Sequence, residues 1–475
     1  MGKNALLFVS LVCLGSCSVF DQRTSQIQTT IVRDGEAVGF VESEIRDVSR
    51  GREFVTRQTL FSGLENSGSS RLVDERIRLV NQDGRTIELK HRSRVGRFET
   101  TTTASLDDRQ ATIVRESRQG TQREVLFLPS EIRFDSGISL LKSWDVVRSP
   151  TLEFYELDIR APKVLRVVFS LLEVQNAEGN RVVQRLKYER DELRSVSKLV
   201  LDQSGMVIAS DIPMFGQDLR SQQFSEEGRI RVPENSIVLS SLVKSPYRIP
   251  REALDGHMRY TFSSDIAFSP PQTGEQKVTH IPGGFILDIC AECGPGIEFN
   301  TDDLTDMVKP TFWLQSDHPS LSRIAETVLE RGGSDREKMM RLKEWGRSRL
   351  NEIDFSGHFS AADALSRRAG DCTEDAVVLA ALGRAIGIPT KVASGIVYSR
   401  ELYHGVSHTF SPHAWTLAFV DGEWESFDMS LGEFDASHIV FTISDGDPAS
   451  IQSGHQLASL LEWESMIEVR SSSEQ

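Results

Sequence analysis

Three residues in the last third of the chain have the types and spacing needed for acyl transfer: Cys372, His413 and Asp428. Cys372 lies in Gly370-Asp371-Cys372-Thr373-Glu374-Asp375, directly before the nearly all-apolar run Ala376–Ile386. That run reads as a helix buried in a core. Gly387 suits the position after its end, and Pro389 prevents continuation. Cys372 then falls in the first helical turn, where the macrodipole and unpaired N–H groups lower a thiol pKa. The same N–H groups can hold an oxyanion. A thiolate nucleophile with a ready oxyanion site is the expectation.

The other two residues are linked by a hairpin. His413–Val420 and Glu423–Asp428 read as strands joined by the tight turn Asp421-Gly422. Counting outward pairs Val420 with Glu423, Leu417 with Ser426 and His413 with Ser430. His413 and Asp428 are then diagonal neighbours on one face. A carboxylate beside an imidazole can fix its tautomer and orientation. Trp415 and Trp424 read as core aromatics of this hairpin. His404 and His408 lie in a polar loop at the rim, without metal-ligand spacing.

These residues need a scaffold. The chain has 475 residues, enough for two or three domains. A formal net charge of −15 argues against a general nucleic-acid binder. At the N-terminus, Lys3 precedes the apolar run Ala5–Leu14, which has the length of a signal core and is too short to span a bilayer. Leu14-Gly15-Ser16-Cys17 follows and resembles a bacterial lipobox. That resemblance implies lipidation of Cys17 as the mature N-terminus, with the lipid as the membrane attachment. Ser18 next to it resembles an outer-membrane sorting signal, so a periplasm-facing location in the envelope is implied.

Of five cysteines, Cys13 leaves with the signal and Cys17 carries the lipid. Cys290-Ala291-Glu292-Cys293 reads as a local disulfide or as dithiol ligands. The structural disulfide is preferred, because a four-thiolate zinc site needs a second such pair. Cys372 is then the odd thiol, a candidate reactive group in an exported protein. No cofactor is implied.

From residue 31 to 300 the sequence reads as a β-rich region of one or two domains, after a signal at 1–16 and a tether at 17–30. Thr30–Phe40 carries a hairpin signature around Asp34-Gly35. Arg76–Val80 and Thr86–Lys90 flank a turn at Asn81–Gly84. Ala111–Val114, Val125–Leu128 and Val164–Phe169 lack clean alternation and fit strands buried on both faces or short helices. Pro150 and Pro233 mark possible breaks. Around residue 300 the texture changes to helical spacing, and 301–475 reads as the domain that carries the candidate catalytic residues. Pro319–Glu330 has helical spacing, Ser334–Glu337 is a capping box opening a helix to about Leu350, and Ser360–Ser366 adds a short third helix.

The blocks Gly370–Glu374, Ile386-Gly387-Ile388-Pro389, His413-Ala414-Trp415, and Trp424 with Phe427-Asp428 resemble the transglutaminase-like superfamily in its bacterial envelope branch, over about residues 315–445. The resemblance implies an α+β, papain-like core at the C-terminus and a triad of Cys372, His413 and Asp428. It implies a protein or peptide substrate, since members include cross-linkers, peptidases, amidases and deamidases. Asp375 departs from the branch, where His is expected, which bears on substrate preference. Asp435-Ala436-Ser437-His438-Ile439 also resembles a segment of that branch, with no role assigned. The family often takes a second oxyanion donor from a side chain upstream of the nucleophile, and Trp345 and Asn351 are candidates by distance. The competing expectation is a catalytically idle scaffold whose β-rich region docks an envelope partner.

Overall fold

A computed structural model of the chain describes residues 25–470 apart from 34–35, 63–69, 131, 136, 176–178, 204, 215–216, 224–240, 300, 354–356 and 401–405. The expected signal, Cys17, the Asp34-Gly35 turn, Pro233 and His404 lie outside the described residues. Among those described, no helix is long and apolar enough to cross a membrane.

The N-terminal half is one antiparallel sheet. Its first eight strands are β1 (Ser25–Arg33), β2 (Glu36–Val48), β3 (Gly51–Ser62), β4 (Ser70–Val80), β5 (Thr86–Val95), β6 (Phe98–Leu106), β7 (Gln110–Ser117) and β8 (Gly120–Phe127). After α1 (Gly137–Ser143) come β9 (Thr151–Asp158), β10 (Lys163–Gln175), β11 (Asn180–Glu189), β12 (Glu192–Leu201), β13 (Val207–Met214) and β14 (Gln217–Gln223). Each run is a meander of sequential hairpins, and β14 pairs with β1 to make a single 14-stranded sheet. Residues 25–30 of the expected tether are therefore already strand, because their backbone is paired with β2. Pro150 directly precedes β9, the start of the second meander.

The sheet rolls on itself. Leu89, Ala104 and Ile113 of β5–β7 pack in one cluster with Leu157 and Ile159 at the end of β9. In β10 the buried residues are Leu165, Val167 and Phe169, so this strand alternates and hides one face only. β8 departs further from the expectation of burial on both faces. It is an edge strand, and Phe127 is 80% exposed. Apolar content alone does not reveal that a strand has no outer neighbour.

The C-terminal half begins with β15 (Val243–Lys244), α2 (Arg251–Leu254), β16 (Met258–Ser263), β17 (Gln276–Ile281) and β18 (Gly284–Ile289). Helices α3 (Thr301–Asp306), α4 (Pro319–Leu329) and α5 (Asp335–Arg347) follow, then β19 (Asn351–Glu352), α6 (Ala361–Arg367), β20 (Ala369–Gly370) and α7 (Cys372–Ala385). The chain closes with β21 (Thr390–Ser399), β22 (Thr409–Val420), β23 (Glu423–Phe427), β24 (Ile439–Ser444), α8 (Pro448–Ala458) and β25 (Glu462–Glu468). Pro319 takes the first helical position of α4, and the Ser334–Glu337 capping box forms at α5. β15, β22, β21, β24 and β23 make one sheet, and β17, β18, β16 and β25 another. The division expected at residue 300 runs through that second sheet, because β25 pairs with β16. Strand makes up 50% and helix 18%, so the chain as a whole is strand-rich and not clearly α+β. The 14-stranded sheet tips that balance.

Helix α7 is the centre of the site-bearing layer. Ala376–Leu382 are all buried among Leu321, Met339, Leu342, Ala414 and Phe427. The rolled sheet packs onto the same layer. Val95 joins this core, the Phe98 and Phe359 rings meet edge to face at 5.7 Å, and the Trp313 indole N–H donates to the Arg160 carbonyl at 2.8 Å. The Cys290–Cys293 disulfide closes the end of β18.

Candidate active site

The hairpin forms in the register counted from its turn, with Val420 opposite Glu423 and Leu417 opposite Ser426. Asp421 and Gly422 take φ of 52° and 99°, the left-handed pair a two-residue hairpin turn requires. His413 and Asp428, one residue beyond β23, are buried, and His413 Nε2 lies 2.7 Å from Asp428 Oδ2. An ionised carboxylate only accepts, so Nε2 carries the hydrogen and Nδ1 keeps the lone pair. Nδ1 is thus the nitrogen able to take a proton from a thiol.

Cys372 is the first residue of α7, half-buried, with Asp371 as N-cap. The Ala414 N–H hydrogen-bonds to its sulfur, which holds the thiol beside the strand segment that carries His413. Cys372 and His413 line the same cavity, of about 360 Å³. The cavity's far wall is the concave face of the rolled sheet, including Leu60, Leu72, Val95 and Phe98.

The thiol differs from the expected thiolate. Burial pushes the Cys372 thiol well above its ordinary value, and the carboxylates of Asp371, Asp428 and Asp375 push the same way against the Ala414 N–H. Desolvation and like charge outweigh the helix dipole here. The oxyanion donors differ too. Asp371 accepts the Thr373 N–H at 2.8 Å and also the Glu374 N–H. Glu374 in turn accepts the Asp371 N–H at 3.1 Å and the Phe359 N–H at 3.1 Å. The capping box consumes N–H groups that an apolar helix start would leave free. Among the described residues, the first turn keeps the Cys372 N–H as its open donor. Trp345 and Asn351 do not line the cavity.

Two histidines extend the arrangement. His438 Nε2 is 3.0 Å from the same Asp428 Oδ2, and its Nδ1 is 3.1 Å from Asp435 Oδ1. Burial works against its charge, but Asp428 and Asp435 raise it to about 10. Asp428 is thus a carboxylate shared between an imidazolium and His413. Despite its burial it is held far below the carboxylate range by the two rings. The Asp435–Ile439 segment flagged His438 in the sequence, but nothing there showed that it reaches Asp428. His455 of α8 carried no signal. It lies beside the His413 backbone, lines the cavity, and has a buried Nε2 with no hydrogen-bond partner among the described residues. Burial pushes it down to about 3, so it is neutral.

His408 bonds to the Tyr398 hydroxyl at 2.7 Å and is absent from the cavity wall. Trp415 is buried and donates to Ser426 Oγ at 3.2 Å. His413, Asp428 and His438 are close enough to chelate a metal ion, though their hydrogen bonds use the same atoms. His257, Cys290 and Cys293 also cluster, but the two sulfurs are bonded to each other and offer no thiolate.

Asp375 lies one turn along α7 from Cys372. Burial, with Asp371 and Asp428 adding to it, raises its carboxyl to about 8 from 3.8. Folding then favours the protonated form. Its stabilising contribution is complete below about pH 4 and is lost as pH rises through about 8. Asp375→Asn should therefore raise Tm at pH 8.5 by several degrees and leave Tm at pH 4 nearly unchanged. Equal Tm shifts at both pH values in thermal melts would contradict this.

The fold and site define a C-terminal domain in which a helix-start cysteine packs on a hairpin carrying a histidine–aspartate pair. Residues 322–429 match the model of the transglutaminase-like superfamily, and the chain carries a transglutaminase-like domain there. The matched span includes Cys372, His413 and Asp428 and ends before His438. No curated protein matches the chain. Among solved structures, a "putative cysteine protease" from Cytophaga hutchinsonii is similar at 17% identity and TM-score 0.29, over 44% of this chain and 87% of that one. A β-barrel-like protein of a domain of unknown function from Brucella abortus is similar at 10% identity and TM-score 0.33, over 42% and 95%. A "putative protease" from Parabacteroides distasonis is similar at 10% identity and TM-score 0.19, over 60% and 70%.

Proposed function

We propose that this protein is a cysteine-dependent acyl-transfer enzyme of the bacterial cell envelope, acting on an amide in a protein or peptide and tethered by a lipid on Cys17. The observation that carries the reading is the bond from His413 Nε2 to Asp428 Oδ2 at 2.7 Å, beside a free thiol in one cavity. The core that bears it is read as a papain-like α+β unit. Because the thiol is held neutral, His413 acts first as a base. Its Nδ1 takes the thiol proton as the sulfur forms a bond to the carbonyl carbon. The Cys372 N–H holds the oxyanion. As the C–N bond breaks, the imidazolium returns the proton to the leaving amine, and a thioester remains on Cys372. Water then attacks the thioester, His413 takes its proton, and the sulfur leaves protonated. An amine can replace water in that step, and hydrolysis is the preferred outcome.

The test is to incubate the purified chain with a pool of short peptide amides, quench in acid and map adducts by mass spectrometry. An acyl mass on Cys372, together with released amine, is expected. An unmodified Cys372 that also resists alkylation at neutral pH in the folded protein would instead support the idle scaffold.

A further inference from the structure

The rolled sheet encloses a second cavity of about 450 Å³. It adjoins the cysteine cavity, since Gln58, Arg76, His91, Arg160 and Leu219 line both. Part of its wall is apolar, built from Phe54, Leu89, Phe154 and Phe169. The rest is basic: Arg76 and Arg78 of β4 and Arg185 and Lys187 of β11 come into one lumen.

The carboxylates nearby do not balance these cations. Asp74 is taken by Arg76 at 3.0 Å and by His91 at 2.6 Å, and Asp158 binds Arg160 through both oxygens at 3.2 and 3.0 Å. Glu44 pairs with Arg46. Glu156 alone serves both Lys187 at 2.7 Å and Arg78 at 3.4 Å. Arg185 bonds to Ser197 Oγ at 3.0 Å and forms no salt bridge among the described residues. Burial pulls both Arg185 and Lys187 below their ordinary values, with Glu156 the main opposing charge. A net charge of −15 makes such a lumen no product of overall composition. Buried cations short of counter-charge are costly unless something else supplies it.

We propose that this lumen binds an anionic amphiphile, its carboxylate or phosphate oxygens held by Arg185, Arg78 and Lys187 and its hydrocarbon part against Phe54, Phe154 and Phe169. The site stands independently of the acyl-transfer reading, and Cys372→Ala protein must bind as well as the unmodified chain.

Isothermal titration of the whole protein with octyl phosphate, octanoate, octanol and inorganic phosphate tests it. Octyl phosphate and octanoate should bind at least about tenfold more tightly than octanol or inorganic phosphate, with affinity falling as salt rises. Arg185→Gln should weaken octyl phosphate about tenfold or more while its ligand-free Tm equals or exceeds that of the unmodified protein. Arg78→Gln, which leaves Glu156 paired with Lys187, should weaken it about threefold or more and decides the matter if Arg185→Gln does not fold. Octanol binding as tightly as octyl phosphate overturns the anionic half of the proposal. Inorganic phosphate binding as tightly overturns the apolar half. No binding by any probe, or unchanged affinity in the folded variants, overturns the whole.

Discussion

In a Cys372→Ala variant, the acyl adduct and amide turnover should both disappear, a fall of at least about 10⁴-fold in kcat/KM. The magnitude follows from the role. In the proposed mechanism the sulfur forms the covalent bond in the first step, and no other cysteine among the described residues has a free thiol. The fold should persist, because Cys372 sits at the edge of the cavity and its helix is anchored by Ala376–Leu382. Its neutral thiol adds a kinetic signature. Reaction with iodoacetamide at pH 7 should depend on His413, so His413→Ala should slow alkylation as well as turnover. Alkylation indifferent to His413, combined with surviving turnover in Cys372→Ala, would remove Cys372 from the chemistry.

Asp428→Asn is expected to lower kcat on the order of 10³- to 10⁴-fold, because the amide no longer fixes Nε2–H on His413 and the ring can adopt the wrong tautomer. This variant should also lose stability, which Cys372→Ala should not. Asp428 is the counter-charge of His438 as well as the partner of His413. Removing it leaves the buried His438 imidazolium with Asp435 alone, a cost of about 3–5 kcal/mol by analogy with broken buried ion pairs. The pH dependence has a definite sign. Asp428 is depressed from 3.8, so its contribution is present above about pH 4 and is lost as pH falls towards its folded value. His438 is raised from 6.5 to about 10, so its contribution is complete below about pH 6.5 and is lost as pH rises through about 10. Thermal melts of Asp428→Asn should show the largest deficit between those limits. A deficit independent of pH, or full activity in the variant, would show that Asp428 only fills space.

A roof of β-sheet over the thiol has a consequence for substrates. Leu60, Leu72 and Phe98 face the cavity that holds Cys372 and His413. On the proposed acyl-transfer reading, a donor has to fit between sheet and helix, which a short or extended peptide segment satisfies better than a side chain on a flat folded surface.

What could be read from the sequence alone is what local rules decide. The α7 start at Cys372, the caps at Pro319 and Ser334, and the Asp421-Gly422 turn each depend on a few adjacent residues. The hairpin register then places His413 beside Asp428, because strand side chains alternate with a period of two. Acyl transfer as the candidate chemistry, and the candidate triad itself, were legible for that reason. The thiol's state was not. The helix dipole that Cys372 feels is local, but its desolvation and the nearby Asp371, Asp375 and Asp428 depend on how the domain closes over it. Nor was His438 readable as a partner of Asp428, ten residues away along a non-repeating path with no periodicity to count. The basic lumen lay furthest from reach. Arg78, Arg185 and Lys187 look in sequence like solvated strand charges, and only the rolling of the sheet decides that they face inward, where low dielectric makes each missing counter-charge matter.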